Sequence, residues 1–209
     1  MPSASRVQHA IRLLALLRQA GTPADAPGDP DGAVLAVRSE RRLQALDFWL
    51  RNPDYLADEL VSEVESGSLG GDYLDVAAAL LEDPEPSLRH YPMPRWLFGA
   101  YERLDDAFAH LEAYGLAIMW RTPGGHRNQF FLLPDGVAAG DSLATTDGPL
   151  SWYPRQVRLV LQVAGTANGS QLKERQYQQA SYADTELGSH IGPIADRVRE
   201  RLAQARSAP

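Results

Sequence analysis

Apolar residues recur at Val7, Ile11, Leu14 and Leu17, with Leu13 and Leu16 beside them, and this spacing predicts an amphipathic helix from about Ser5 to Gln19. A stripe that wide needs a substantial partner surface. The polar stretch GTPADAPGDPDG, Gly21 to Gly32, is too rich in Pro and Gly for helix or strand, so it predicts a loop that sets the first helix apart. Ala33 to Val37 is a short apolar run compatible with a strand or with the lead-in to the next helix. Ser39 is placed as the N-cap of a helix with apolar positions at Leu43, Leu46, Phe48, Trp49 and Leu50. Pro53 interrupts that pattern, and Leu56, Leu60 and Val64 resume it at four-residue spacing until Gly67, Gly70 and Gly71.

DYLDVAAALLED predicts a further short helix, and the prolines from Pro84 to Pro94 predict an extended connector. Leu97, Tyr101, Leu104, Phe108 and Leu111 then mark a longer helix over about Arg95 to Tyr114, with Gly115 suited to the left-handed residue after its end. LAIMWR and QFFLL predict two strands joined by the polar loop TPGGHRN, with Trp120, Phe130 and Phe131 expected in the core. A small helix follows in DGVAAGDSLAT. The C-terminal part predicts helices throughout, the last striped by Ile191, Ile194, Val198 and Leu202.

The expected class is therefore mainly α with a small antiparallel β-hairpin. Three segments are expected: 1–32, an N-terminal helix and linker; 33–148, a central core; and 149–209, a C-terminal helical extension. The 209 residues, 44% of them hydrophobic and 22% charged, suffice for a real core. Without cysteine, thiolate metal sites, disulfides and cysteine nucleophiles are excluded, and a reducing cytoplasm is the expected location. The N-terminal helix is punctuated by Arg6, Arg12 and Arg18, so neither a signal peptide nor a membrane span is expected there.

Charge is unevenly distributed around the net value of −7. Asn52 to Pro86 holds ten acids and no base, whereas Ser151 to the end holds eight bases and five acids. Gly115 to Leu133 holds two arginines and no acid, which gives the hairpin positive charge against an acidic background. An acidic total disfavours indiscriminate coating of nucleic acid, and the ten-acid stretch reads first as a solvated face and second as a surface for a basic partner.

The order of helix, rigid linker, longer helix ending in LEAYGL, strand, polar loop, strand and LLPDG before an Ala-rich helix resembles a winged helix-turn-helix core with additional N- and C-terminal helices. LEAYGLAIMW and FFLLPDGVAAGDSL are similar to the helix-to-wing passage of MarR-like and PadR-like bacterial regulators. The resemblance implies a homodimer that binds double-stranded DNA and regulates transcription, with Arg95, Arg103, Arg121, His126, Arg127 and Asn128 as DNA contacts. It also implies dimerisation through the terminal stripes, namely Val7, Ile11, Leu14 and Leu17 with Ile194, Val198 and Leu202. The alternative is a winged-helix protein-interaction module with an acidic surface and no direct DNA contact, motivated by Glu102, Asp105, Asp106 and Glu112 on the would-be recognition helix.

Catalytic motifs are weak. GDSL at Gly140 to Leu143 matches the name of a serine-hydrolase family, but no Asp-x-x-His accompanies it to activate Ser142. GSLGGD lacks the Lys-Ser/Thr of a phosphate loop, and the five histidines form no metal-binding pair. No enzyme activity, cofactor or metal is expected.

Overall fold

The N-terminal stripe closes on the chain's own interior. In the computed structural model, which describes residues 6–82, 93–97, 99–101, 103–121 and 128–207, α1 (Arg6–Ala20) buries Leu13, Leu14, Leu16 and Leu17. The linker does not set this helix apart: β1 (Thr22–Pro23) and β2 (Leu35–Val37) lie within it and after it, pair antiparallel, and return the chain to α1. Arg38 clips the loop by donating both terminal nitrogens to Asp29, each at 2.6 Å.

Ser39 caps α2 (Glu40–Arg51), its Oγ accepting from the N–H of Arg42 at 3.2 Å, as its position before the apolar run predicts. Pro53 occupies the first turn of α3 (Pro53–Glu65), where its missing N–H costs nothing. α4 (Tyr73–Glu82) packs back on α3. The proline-rich stretch 83–92 lies outside the described residues.

Residues 95–101 depart from the predicted helix. They form a hairpin, β3 (Arg95–Trp96) and β4 (Gly99–Ala100), and only α5 (Asp105–Ala113) is helical in this region. Gly99 has φ +109°, a value a helix cannot accept, and the backbone bonds go elsewhere. Arg95 N donates to Ser189 O at 2.9 Å, Ile191 N to Met93 O at 3.0 Å, and Gly188 N to Arg95 O at 2.7 Å. Of the expected stripe, Leu104, Phe108 and Leu111 are buried, while Leu97 and Tyr101 are exposed.

Gly115, at φ +64°, turns the chain from α5 into β5 (Ala117–Arg121), which pairs antiparallel with β6 (Asn128–Leu132). β2 adds to the other side of β6, giving the sheet order β1-β2-β6-β5 with β5 at an edge. Phe130 and Phe131 are buried, but Trp120 is 40% exposed, because the edge strand runs past the end of the core. α6 (Pro134–Thr145) follows, and a 3-10 turn leads into α7 (Trp152–Ala164), α8 (Gly169–Tyr177), α9 (Ala180–Ala183) and α10 (Ala195–Ser207). α8 carries a full capping box between Asn168 and Gln171.

The terminal stripes are not a free dimer surface. Leu14 and Leu17 of α1, and Ile194, Val198 and Leu202 at α10, are buried against the chain's own helices. Ile11 is packed on the same core, and only Val7 is exposed. α10 itself begins at Ala195, later than the stripe suggests, because Pro193 and Gly192 precede it.

The acidic stretch is likewise not a bare solvated face. Its acids meet the arginines of α8 and α10: Arg175 binds Glu59 and Glu63, Arg201 binds Asp58 and Glu65, and Arg206 binds Asp75. The negative run and the positive C-terminus are two sides of one interface. Among the described residues no helix is long and apolar enough to cross a membrane.

Candidate interaction surface

The nine residues of α5 carry acids where the resemblance would place a DNA-reading face. Asp105 and Asp106 occupy its first turn, a position that the positive end of the helix dipole favours. Both are exposed, as are Ala109 and Glu112, while Ala107, Phe108 and Leu111 fill the inner side. Among the described residues of this helix there is no arginine or lysine.

The candidate DNA contacts separate. Arg95 lies on β3 and not on α5; its guanidinium donates to the carbonyl of Thr185 and sits 5.1 Å from the ring centre of Tyr177. It is a half-buried fastener of the C-terminal segment, not a recognition-helix residue. Arg103 is 86% exposed at its side chain and faces Asp105 at 3.5 Å. Arg121 donates through Nε and Nη2 to Asn128 Oδ1, at 3.3 and 3.1 Å, across the base of the hairpin. His126 and Arg127, with the rest of the loop at 122–127, lie outside the described residues.

Asn128 relays the contact onward: its Nδ2 donates to Glu40 Oε2 at 3.2 Å, tying the hairpin base to the first turn of α2. Burial raises the pKa of Glu40, opposed by bonding from Asn128 and reinforced by the nearby negative charge of Asp105. Tyr101 belongs to the same neighbourhood. Burial raises its phenol pKa first, then the charges of Glu40 and Asp105, while Arg103 lowers it. Glu40, Tyr101, Arg103, Asp105, Arg121 and Asn128 thus lie within electrostatic reach of one another.

A second feature runs along the outer edge of the sheet. Glu112 Oε1 accepts the N–H of Met119 at 2.8 Å, so the α5 carboxylate covers an edge-strand donor that would otherwise face solvent. Tyr114, two residues after Glu112, is 76% exposed, and Trp120, next to Met119, is 40% exposed. Large aromatic side chains beside carboxylates are suited to anchoring a partner protein.

Residue patterning placed Arg121 and Asn128 in one region but missed Glu40, 88 positions from Asn128, for which no local spacing carries a signal. Tyr101 was hidden by its regular place in an apolar stripe. Ser142 of the GDSL tetrad lies within α6, where its Oγ donates to the Ala138 carbonyl at 2.9 Å as an ordinary helix serine does. Among the described residues no group of three or more His, Asp or Glu side chains is placed to hold a metal ion. Comparison with protein-family models, with characterised proteins and with solved structures finds no match.

Proposed function

We propose that α5 and the β5 edge form a protein-binding face on a winged-helix-like core, and that this face makes no direct contact with DNA. Support for the winged-helix arrangement comes from the order along the chain: α5, the left-handed Gly115, the β5–β6 hairpin and then α6. The observation that carries the functional reading is the solvent side of α5, where Asp105, Asp106 and Glu112 are exposed and the helix itself carries no arginine or lysine. Brought against a duplex, these carboxylates would repel phosphate, and the two described arginines beside them already face Asp105 and Asn128. A basic segment of a partner protein, with an apolar side chain set against Tyr114 or Trp120, is the complementary surface.

The test is a salt-titrated polarisation assay with two labelled probes: an arginine-rich peptide bearing one leucine anchor, and a random-sequence DNA duplex. The peptide is expected to bind with an affinity that falls as salt rises, and Asp105→Asn with Asp106→Asn weakens it. Trp120→Ser weakens it without changing its salt dependence. Tight duplex binding whose salt slope drops by about one unit for each of Arg121→Ala and Arg127→Ala would instead establish the hairpin as a DNA-contacting wing.

A further inference from the structure

The α5–β5 face calls for a basic segment with an apolar anchor, and this chain carries such a segment itself, in α7 and the turn before it. Residues 148–172 contain two arginines, Arg155 and Arg158, and no acid. Both are exposed, and among the described residues neither has an ion pair or hydrogen bond. That sets them apart from Arg175, Arg201 and Arg206, which are held by acids of α3 and α4. Leu150, in the 3-10 turn that leads into α7, is exposed, and Leu159 is half-buried beside Arg158.

The solvent ridges of the two helices match in length and oppose in charge. Asp105, Ala109 and Glu112 are exposed at spacings of four and three residues along α5, and Arg155, Arg158 and Gln162 at three and four along α7. At about 1.5 Å of rise per residue, each ridge runs roughly 10 Å. Residues three apart on a helix lie about 5–6 Å apart at Cβ, so Arg155 and Arg158 present their charge to one surface. Ala109, small and central in the acidic ridge, leaves room for an arginine stem to cross the helix and reach a carboxylate on either side. The Asp105 contact with Arg103, at 3.5 Å, joins two exposed side chains and exchanges at little cost.

The chain does not close this contact on itself. Both α5 and α7 pack against α1, and among the described residues no ion pair joins Arg155 or Arg158 to an acid of α5. One surface that complements a different surface of the same molecule is the condition for a head-to-tail contact between copies.

Resting on the reading of the α5–β5 face as protein-binding, we infer that its occupant is a second copy of this chain. The copy docks the Arg155–Arg158 ridge of its α7 on Asp105, Asp106 and Glu112 and brings Leu150 towards Tyr114 or Trp120. An acidic partner would be repelled by these carboxylates, whereas the copy supplies two cations that have no carboxylate of their own.

Sedimentation velocity of the full chain over a range of concentrations tests this. Association is expected to grow with concentration and to weaken as salt rises. Asp105→Asn with Asp106→Asn disables one side and Arg155→Gln with Arg158→Gln the other, and each pair of changes weakens association by about tenfold or more. Mixing the two variants restores it, because one keeps the basic ridge and the other the acidic one. The replaced side chains are exposed, so circular dichroism and melting of both variants should match the parent. A parent that stays monomeric at every concentration in low salt overturns the inference. So does association that neither variant weakens, or that mixing two folded variants fails to restore. If that monomeric parent still binds the arginine-rich peptide, the α5–β5 face is protein-binding with a different partner; if it binds neither, both readings fall.

Discussion

Arg12 Nε donates to Asp47 Oδ1 at 2.6 Å, and both side chains are almost wholly buried. Arg51, one helical turn beyond Asp47, approaches the other carboxylate oxygen at 3.7 Å, so one buried anion serves two buried guanidinium groups. Removing the anion takes from two buried cations the carboxylate they share. Asp47→Ala is expected to cost roughly 3–5 kcal/mol in a urea unfolding experiment. A loss below about 1 kcal/mol would show that the pair carries no such weight. Replacing Arg12 by Met together with Asp47 by Leu should cost less than the single change.

His9 extends this cluster in a pH-dependent way. Its Nδ1 lies 2.9 Å from Arg12 Nη2, which can only donate, so the ring must be neutral. Burial, and then the charge of Arg12, lowers its pKa from 6.5 to about 4. A folded-state value below the unfolded one means the unfolded chain binds the extra proton first. The resulting stabilisation is present above about pH 6.5 and is lost as pH falls towards 4. Proton-detected titration of the His9 ring should show a midpoint near 4, and His9→Gln should flatten the stability profile across that window. A midpoint near 6.5 would mean the Arg12 contact does not hold in solution.

A methyl group at Gly136 would overlap the carbonyl oxygen of Leu116, because α6 starts directly against the turn that feeds β5. The same carbonyl accepts from Leu133 N at 3.0 Å and is not free to move away. Gly136→Ala is expected to destabilise by roughly 1–3 kcal/mol or more. Gly71→Ala, where an added Cβ meets nothing within 4 Å, is the control and should be close to neutral. Equal midpoints for the two variants in thermal unfolding would refute the steric account.

These relationships differ in how far the sequence discloses them. Ser39, Pro53 and Gly115 act within one turn of chain, so their roles follow from local rules alone. The hairpin strands are legible for the same reason. Residues 95–101 are not: an apolar stripe at helical spacing is overridden by backbone bonds to 188–191, some ninety residues away, and by Gly99. Arg12 reads as the polar side of an amphipathic helix, because the burying partner, Asp47, is 35 positions distant. Acids that read as a solvated face are matched by arginines more than a hundred positions later. The candidate surface divides along the same line: the α5 acids are visible in the sequence, whereas the Glu40–Asn128–Arg121 chain is a product of tertiary structure.

The same interface predicts that two salt bridges of similar appearance differ in worth. Arg206 binds Asp75 at the surface, and both side chains remain largely hydrated. Arg206→Ala should therefore change stability by no more than about 1 kcal/mol. Arg175 binds Glu59, whose side chain is 6% exposed, and burial raises the Glu59 pKa despite the attraction of Arg175. Arg175→Ala removes the main compensation and should cost roughly 3–5 kcal/mol at neutral pH. It should also push the Glu59 pKa higher. A carboxyl group whose folded pKa exceeds its unfolded value is penalised as pH rises through that folded value, and the penalty is relieved when the group takes up a proton. The deficit of Arg175→Ala relative to the parent should consequently shrink as pH is lowered from 7 towards 5, while that of Arg206→Ala stays small at both. Chemical denaturation of the two variants at both values is the measurement. A pH-independent deficit for Arg175→Ala would mean that Glu59 gains water once Arg175 is gone, so that burial no longer sets its charge.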